Sequence, residues 1–253
     1  MNIVAIVKLV PDLVEELEID EEGTALDTTW LRLIINEFDD HALEQALLLK
    51  EQAGGQITVL APDNDGIDDV LFTAIAKGVD RLLKLTGDFA GTNNHALARA
   101  FAAPLKKLQP DLILTGVQAH NDLDGAVGPL LAEYLNISYV GYVAGITVHG
   151  GKISVRKEYP GGLVAEIEVQ LPAVIGIQAA EKPPRYVAVS KVRQAMKEAA
   201  IQEEAVTTLD PGGGLAVSRM FQPQAAGRAT MIAGDEEEVA GKLIEIFREL
   251  GVK

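Results

Sequence analysis

The sequence predicts an α/β protein: a three-layer α/β/α domain with a mostly parallel sheet, an added antiparallel segment and an extended C-terminal arm. Three observations carry this. Over residues 1–135, short apolar runs alternate with amphipathic segments of helical period. Those runs are nearly continuous in apolar residues, as strands covered on both faces are. Beyond residue 145 the pattern becomes alternating around a glycine turn, and beyond Pro183-Pro184 it loses most of its apolar anchors.

Ile3–Val10 reads as the first strand, apolar, β-branched and bounded by Pro11. A helix follows over Asp39–Ala53, where Ala42, Ala46, Leu49 and Ala53 fall at helical spacing and Gly54-Gly55 stop it. Ile57–Ala61 is a strand, Asp68–Lys77 a helix ended by Gly78, and Arg81–Leu85 a strand. Asn94–Leu108 is a helix closed by Pro110. Asp111–Thr115 is a strand running into Gly116, and Val127–Tyr134 a helix. Ile146–Val148 and Ile153–Arg156 flank His149-Gly150-Gly151-Lys152 as a hairpin. Leu163–Val169 alternates, and Ala173–Gln178 is a buried-type strand. Val192–Ala200 is helical, Asp210–Arg228 is rich in Gly, Pro and Gln, and Asp235–Leu250 is an amphipathic helix with Val239, Leu243, Ile246 and Leu250 on one face. An arm of this kind has little of its own to pack against. It either wraps a partner or folds back on its own domain.

Composition removes several classes of function. The 253 residues, 48% hydrophobic, suffice for one large domain or a domain with an appendage. No apolar run reaches the roughly 18 residues of a membrane span. Met1–Val7 lacks a basic n-region and a small-residue cleavage site, so it reads as a buried strand rather than a signal peptide. The absence of cysteine excludes disulfides, iron–sulfur ligation, thiolate catalysis and cysteine-zinc sites, and is compatible with the cytoplasm, the expected location. A net charge of −15 repels nucleic acid and anionic membranes.

Familiar catalytic signatures are missing too. No G-x-G-x-x-G follows a strand, no phosphate-binding G-x-x-x-x-G-K-[ST] occurs, and no G-x-S-x-G appears. His41, His95, His120 and His149 are scattered. Asp63-Asn64-Asp65-Gly66 resembles the start of a calcium loop, but the glycine comes too early and Ala74 stands where a closing Glu belongs.

The informative stretch is Gly116-Val117-Gln118-Ala119-His120-Asn121-Asp122-Leu123-Asp124-Gly125-Ala126-Val127-Gly128-Pro129. It begins at the carboxyl end of a parallel strand and ends at a helix start. Ligands of open α/β sheets sit outside the carboxyl ends of strands, and free N–H groups at a helix start attract phosphate. Gly125 and Gly128 let backbone approach a ligand. The plain alternative is a connecting loop whose glycines serve only the turn. Asn36-Glu37-Phe38-Asp39-Asp40 opens the first long helix at the same end of the sheet, so the two stretches can face one pocket. Here the alternative is capping of the helix by Asn36 or Asp39.

These stretches resemble the β subunit of electron transfer flavoproteins. The matching pieces run in order along the chain: Val7-Lys8-Leu9-Val10-Pro11-Asp12; Asn36–Asp40 with Glu44; Ala74-Ile75-Ala76-Lys77-Gly78-Val79-Asp80-Arg81; Pro110–Gly116 through Gln118-Ala119 to Gly128-Pro129; Gly161-Gly162; Leu171-Pro172-Ala173-Val174; and Pro184-Arg185-Tyr186. The tail Gly227-Arg228-Ala229-Thr230-Met231-Ile232 looks most like the bacterial group serving amine dehydrogenases.

The resemblance implies a domain of the adenine-nucleotide-binding type over residues 1–186. Residues 187–253 would form a partner-docking loop and an arm embracing a larger α subunit. It implies an electron carrier rather than an enzyme, with AMP buried in this chain and FAD held mainly by the α subunit. Electrons would come from a flavin-dependent dehydrogenase and pass to a further acceptor. In electron-bifurcating members a second FAD replaces the AMP. Carried over by position, Ile6, Asn36, Glu37, Phe38 and Asp39 would contact AMP, with Pro62 nearby. Gly116–Leu131, including Gln118, Ala119, Asp122, Gly125, Ala126, Val127 and Gly128, wrap its ribose and phosphate. Leu13 and Phe38 lie near the flavin ring. Val187–Met196 grips the dehydrogenase through Val189, with Arg185 and Tyr186 beside it, and Trp30 packs at the subunit interface or in a core. Many relatives have Gln and Thr or Ser where this chain has Ala126 and Val127, so either backbone N–H groups of Gly125–Gly128 carry more of the phosphate or binding is weaker. A stand-alone ATP-binding stress-type protein shares the layout, but its glycine-rich phosphate loop is not evident, and the S-G-G-x-D-S loop of adenylating enzymes is absent.

Overall fold

A computed structural model describes residues 1–89, 91–123, 125–223 and 229–252. Asp124, in the loop singled out above, and Gly227-Arg228, in the tail, lie outside the described residues. The chain forms two compact units, Met1–Arg219 and Met220–Lys253.

In chain order the first unit holds β1 (Asn2–Ile6), β2 (Leu9–Pro11), β3 (Leu33–Ile35), α1 (Glu37–Ala53), β4 (Gln56–Pro62), α2 (Ile67–Lys77), β5 (Arg81–Thr86), α3 (Asn94–Leu108) and β6 (Leu112–Gly116). It continues with α4 (Val127–Leu135), β7 (Ser138–His149), β8 (Lys152–Tyr159), β9 (Leu163–Gln170), β10 (Ala173–Ile177), α5 (Val189–Glu198) and β11 (Ile201–Ala205). One nine-stranded sheet has the order β11-β5-β4-β1-β6-β10-β7-β8-β9. It is parallel from β11 to β7 and antiparallel across β7–β8 and β8–β9.

Alternation along each central strand sorts the core into two layers. Ile3, Ala5, Leu112, Leu114 and Ile175 pack with Leu43, Ala46 and Leu49 of α1 and Ile67 and Leu71 of α2. Val4, Ile6, Ile113 and Val174 pack with Phe101 and Leu105 of α3 and Leu131 of α4. The expected three-layer architecture is therefore present, with the antiparallel addition at one edge.

The structure departs from the sequence reading in three places. The expected strand Ile3–Val10 divides after Ile6, and β2 leaves the main sheet to pair antiparallel with β3. The cause is distant in sequence: the Lys8 amide donates to Asp39 Oδ2 at 3.0 Å instead of continuing a ladder. The expected short strand Ile146–Val148 belongs to the twelve-residue β7, which pairs with β10 through its first half and β8 through its second. Tyr142, at φ 60, sits where the two pairings meet. Finally, β11 was not anticipated. It caps the sheet beside β5 as a charged edge, where Lys84 Nζ lies 3.2 Å from Glu203 and 3.0 Å from Asp68. Asp63 is 3.8 Å from the same ammonium, so the calcium-like stretch faces a lysine.

The second unit contains α6 (Glu236–Glu249), capped by Asp235, whose carboxylate accepts from Glu238 N at 3.0 Å. Leu243, Ile244, Ile246, Phe247 and Leu250 of this unit are exposed, and α6 has no buried residue.

After β10 the chain is strapped along α1. Ala180 N donates to His41 Nδ1, Glu181 N to Gln45 Oε1, and Arg185 N to Glu44 Oε2. The Arg185 guanidinium reaches Glu44 at 2.8 Å and Glu51 at 2.6 Å. Glu44 is only 2% exposed, so it depends on this cation. Replacing Arg185 with Ala is expected to cost about 3 kcal/mol, because it leaves a buried carboxylate without its partner. Urea midpoints of the variant and of Glu44→Gln, with the smaller loss expected for the latter, check this.

Candidate functional site

The strand order reverses at β1. The chain moves outward through β4 and β5, then returns to place β6 on the other side of β1. The crevice outside the carboxyl ends of β1 and β6 is the switch point at which such sheets bind ligands. The Lys8 turn, the start of α1, Pro62 and the described residues of the loop that follows Gly116 lie at this end of the sheet.

Asp39 holds these pieces together. Its Oδ1 accepts from Gly116 N at 2.8 Å and its Oδ2 from Lys8 N. One carboxylate on α1 thus terminates both central strands. The approach is close enough to require glycine at 116: a Cβ there would fall 2.4 Å from Asp39 Oδ1 and 2.7 Å from Phe38 Cβ. Asn36 stands at the N-cap of α1 but makes no capping bond. Its amide instead donates to the Gln118 carbonyl at 2.9 Å. The capping alternative is thus replaced by two long-range ties. Asp39 is 4% exposed, and burial pushes its carboxyl up to about 6, against the opposing pull of Lys8 and of the bonds from Gly116, Lys8 and Asn36.

The loop is organised by Asp122. Its carboxylate receives Lys8 Nζ at 2.6 Å, Asn94 Nδ2 at 2.8 Å and Ala119 N at 2.8 Å. Asn94 Nδ2 also donates to the Gly125 carbonyl at 2.6 Å. Lys8 and Asn94 were missed by sequence reasoning. Lys8 stood out only as a charge inside an otherwise apolar run and as part of the Val7–Asp12 piece that carries the resemblance, with no role attached to it.

The start of α4 differs from its neighbours. Acidic residues occupy the first turns of α1 and α2, and Asn93 caps α3 by accepting from Ala96 N. Ala126 precedes α4 with no side-chain cap, and its first turn carries no acidic residue. Beneath that turn, a Cβ on Gly128 would meet Thr115 Oγ1 at 2.8 Å and the Tyr139 ring at 2.9 Å. Thr115 Oγ1 is buried without a hydrogen-bond partner. Tyr139 lies across Gly141 and Gly176, and burial pushes its phenol up to about 12.

The remaining expected residues fall into three groups. Ile6, Pro62 and Val127 are buried, so any contact they offer is largely through backbone. Glu37, Gln118, His120 and Gly125 are exposed at the crevice mouth, and Phe38 is half-buried against Gly116. Leu13, Trp30, Tyr186 and Val189 are exposed, Trp30 at 93% and Tyr186 at 87%. Arg185 is bound to its own chain. Among the described residues, no group of three or more His, Asp or Glu is placed to hold a metal ion, and no helix is long and apolar enough to cross a membrane.

Comparison with known proteins gives a consistent result. The family described as "Electron transfer flavoprotein domain" matches residues 25–209. The chain is 33% identical to the electron transfer flavoprotein subunit beta of Methylophilus methylotrophus over 98% of both chains. It is 35% identical to the subunit of the same name from Clostridium acetobutylicum, over 76% of this chain and 74% of that one. It is 30% identical to the acryloyl-CoA reductase electron transfer subunit gamma of Anaerotignum propionicum over 97% of each.

The raised Asp39 carboxyl has a signed consequence. The folded state holds this proton up to about pH 6, whereas the unfolded chain releases it near 3.8. The contribution of Asp39 to stability is therefore greatest below pH 3.8 and falls by about 3 kcal/mol as pH rises past 6. In urea denaturation, the stability of the natural chain minus that of Asp39→Asn is expected to decline across this window and stay level above it.

Proposed function

The chain belongs to the electron transfer flavoprotein family, as a β-type subunit, and on that premise we propose that it binds AMP in the switch-point crevice and helps enclose an FAD held mainly by an α subunit. In this role it is an electron carrier subunit. It passes electrons from a flavin-dependent dehydrogenase to a further acceptor in the cytoplasm.

The observation that carries the reading is the uncapped start of α4 behind a glycine-bearing loop at the switch point. Its amides favour an anion, and among the described residues no side chain supplies one to its first turn. Charge supports an orientation. Asp63, Asp65, Asp68 and Asp69 line a cavity of about 350 Å³ beyond Pro62, and that flank disfavours phosphate. The uncharged adenosine then lies toward Pro62 and the phosphate toward Gly125–Gly128.

Exposed apolar groups support the partners. Leu13, Val14 and Trp30 suit a subunit interface beside the flavin, and the apolar side chains of α6 suit an arm embracing the α subunit. Tyr186 and Val189, on the segment that Arg185 fixes to α1, suit docking of the dehydrogenase. Residues 187–253 then serve partners, while residues 1–186 hold the nucleotide.

Co-expression with an α subunit, purification, acid release and chromatography of bound nucleotides test this. One AMP and one FAD per heterodimer are expected. Two FAD without AMP would place this chain with the electron-bifurcating members, and ATP without flavin would contradict the reading.

A further inference from the structure

The segment that leaves α1 for α5 has the opposite charge to the rest of the chain. From Lys182 to Lys197 it carries five cations and no carboxylate, in a protein of net charge −15. Lys8, Lys50, Lys77 and Lys84 are each paired with a carboxylate where they stand. Of the five, Arg185 is bound to Glu44 and Glu51, and Lys182 acts on Glu51 beside it. The three on α5 are different. Lys191, Arg193 and Lys197 are exposed, and among the described residues none has a carboxylate within 4 Å.

The helix sets these charges beside apolar groups. α5 rests on α2, with Ala195 buried. Val189, Arg193, Met196 and Lys197 fall at i, i+4, i+7 and i+8, so they share one side of the helix. Val189 and Met196 are both exposed there. The segment is fixed before it meets anything, at Arg185 by α1 and at Ala195 by α2, so docking orders little new chain. An apolar centre with charge at its rim is the anatomy of a protein interface. A nucleic acid or an anionic membrane fits poorly, because three cations on a chain of net charge −15 give such a polyanion no long-range attraction.

We propose that α5 docks on an acidic patch of the electron-donating dehydrogenase: Val189 and Met196 enter an apolar recess, and Arg193 and Lys197 pair with carboxylates at its rim. This rests on the docking reading above and adds the chemistry of the partner's face. Lys191 adds to the same field. A carrier must leave its donor as well as find it. Rim charges serve both needs, since they raise the encounter rate more than they prolong the complex.

The test uses the heterodimer with its α subunit and the flavin-dependent dehydrogenase purified by its ability to reduce it. The two are mixed in stopped flow, and reduction by dithionite, which needs no docking, is the reference for each rate. The second-order rate constant of the natural heterodimer is expected to fall about tenfold from about 20 to about 300 mM salt. Arg193→Gln with Lys197→Gln is expected to be about fivefold slower at low salt, with a flatter salt dependence. Arg193→Glu with Lys197→Glu is expected to be slower still, with a rate that rises with salt. If no such dehydrogenase reduces the natural heterodimer, the docking reading itself fails and this proposal with it. If reduction occurs but the charge variants keep the natural rate and salt dependence, or the Glu pair is faster, the acidic patch is overturned. It is overturned too if dithionite reduction slows in step, which would place the effect inside the heterodimer. Binding to phosphatidylglycerol vesicles that the Glu pair abolishes, while the dehydrogenase rate holds, would assign the patch to a membrane and also overturn it.

Discussion

The carboxylate of Asp39 is the constraint on which the crevice depends. Two backbone amides that would otherwise continue parallel ladders end on its oxygens, those of Lys8 and Gly116. Ending them there releases β2 from the sheet, leaves the crevice beyond the carboxyl ends of the paired strands β1 and β6, and fixes the start of α1 against both. The arrangement is costly, since a buried carboxylate is desolvated. It persists because the amides satisfy it and Lys8 offsets its charge. Such local cost at the rim of a rigid sheet is characteristic of places where a protein holds something other than itself.

Electrostatics divides the same end of the sheet into unlike regions. The flank beyond Pro62 is acidic and the first turns of α1 and α2 are acidic, while the start of α4 presents uncapped amides. A chain with net charge −15 has little attraction for nucleotides at long range. Inside the crevice one cation, Lys8, pairs with Asp122 and pulls on Asp39.

The sequence made the layered α/β architecture legible because strands buried on both faces must be apolar throughout, and their helices must carry a matching stripe. It also located the crevice, since the loop after Gly116 falls at a strand end by simple order. What it hid was long-range. Nothing between Ile3 and Val10 marks a break, because the break is imposed by Asp39 from α1. The strand Ile201–Ala205 is too polar to read as one, and it gains its place by presenting Glu203 to Lys84. Arg185 looks free to meet a partner until Glu44 and Glu51 are found beside it, more than 130 residues away. Asp122 was legible as a residue of the loop after Gly116, but its bond to Lys8 spans 114 residues and could not be read from the sequence.

Amide hydrogen exchange across the crevice, with the nucleotide bound and then removed, probes the central claim most directly. The Lys8 and Gly116 amides, held by Asp39, should remain protected in both states, while those of Gly125 to Gly128 should be protected only when AMP is present. Equal exchange at Gly125–Gly128 in the two states, or loss of protection at Lys8 and Gly116 on removing AMP, would contradict a preformed crevice that receives a phosphate at the start of α4.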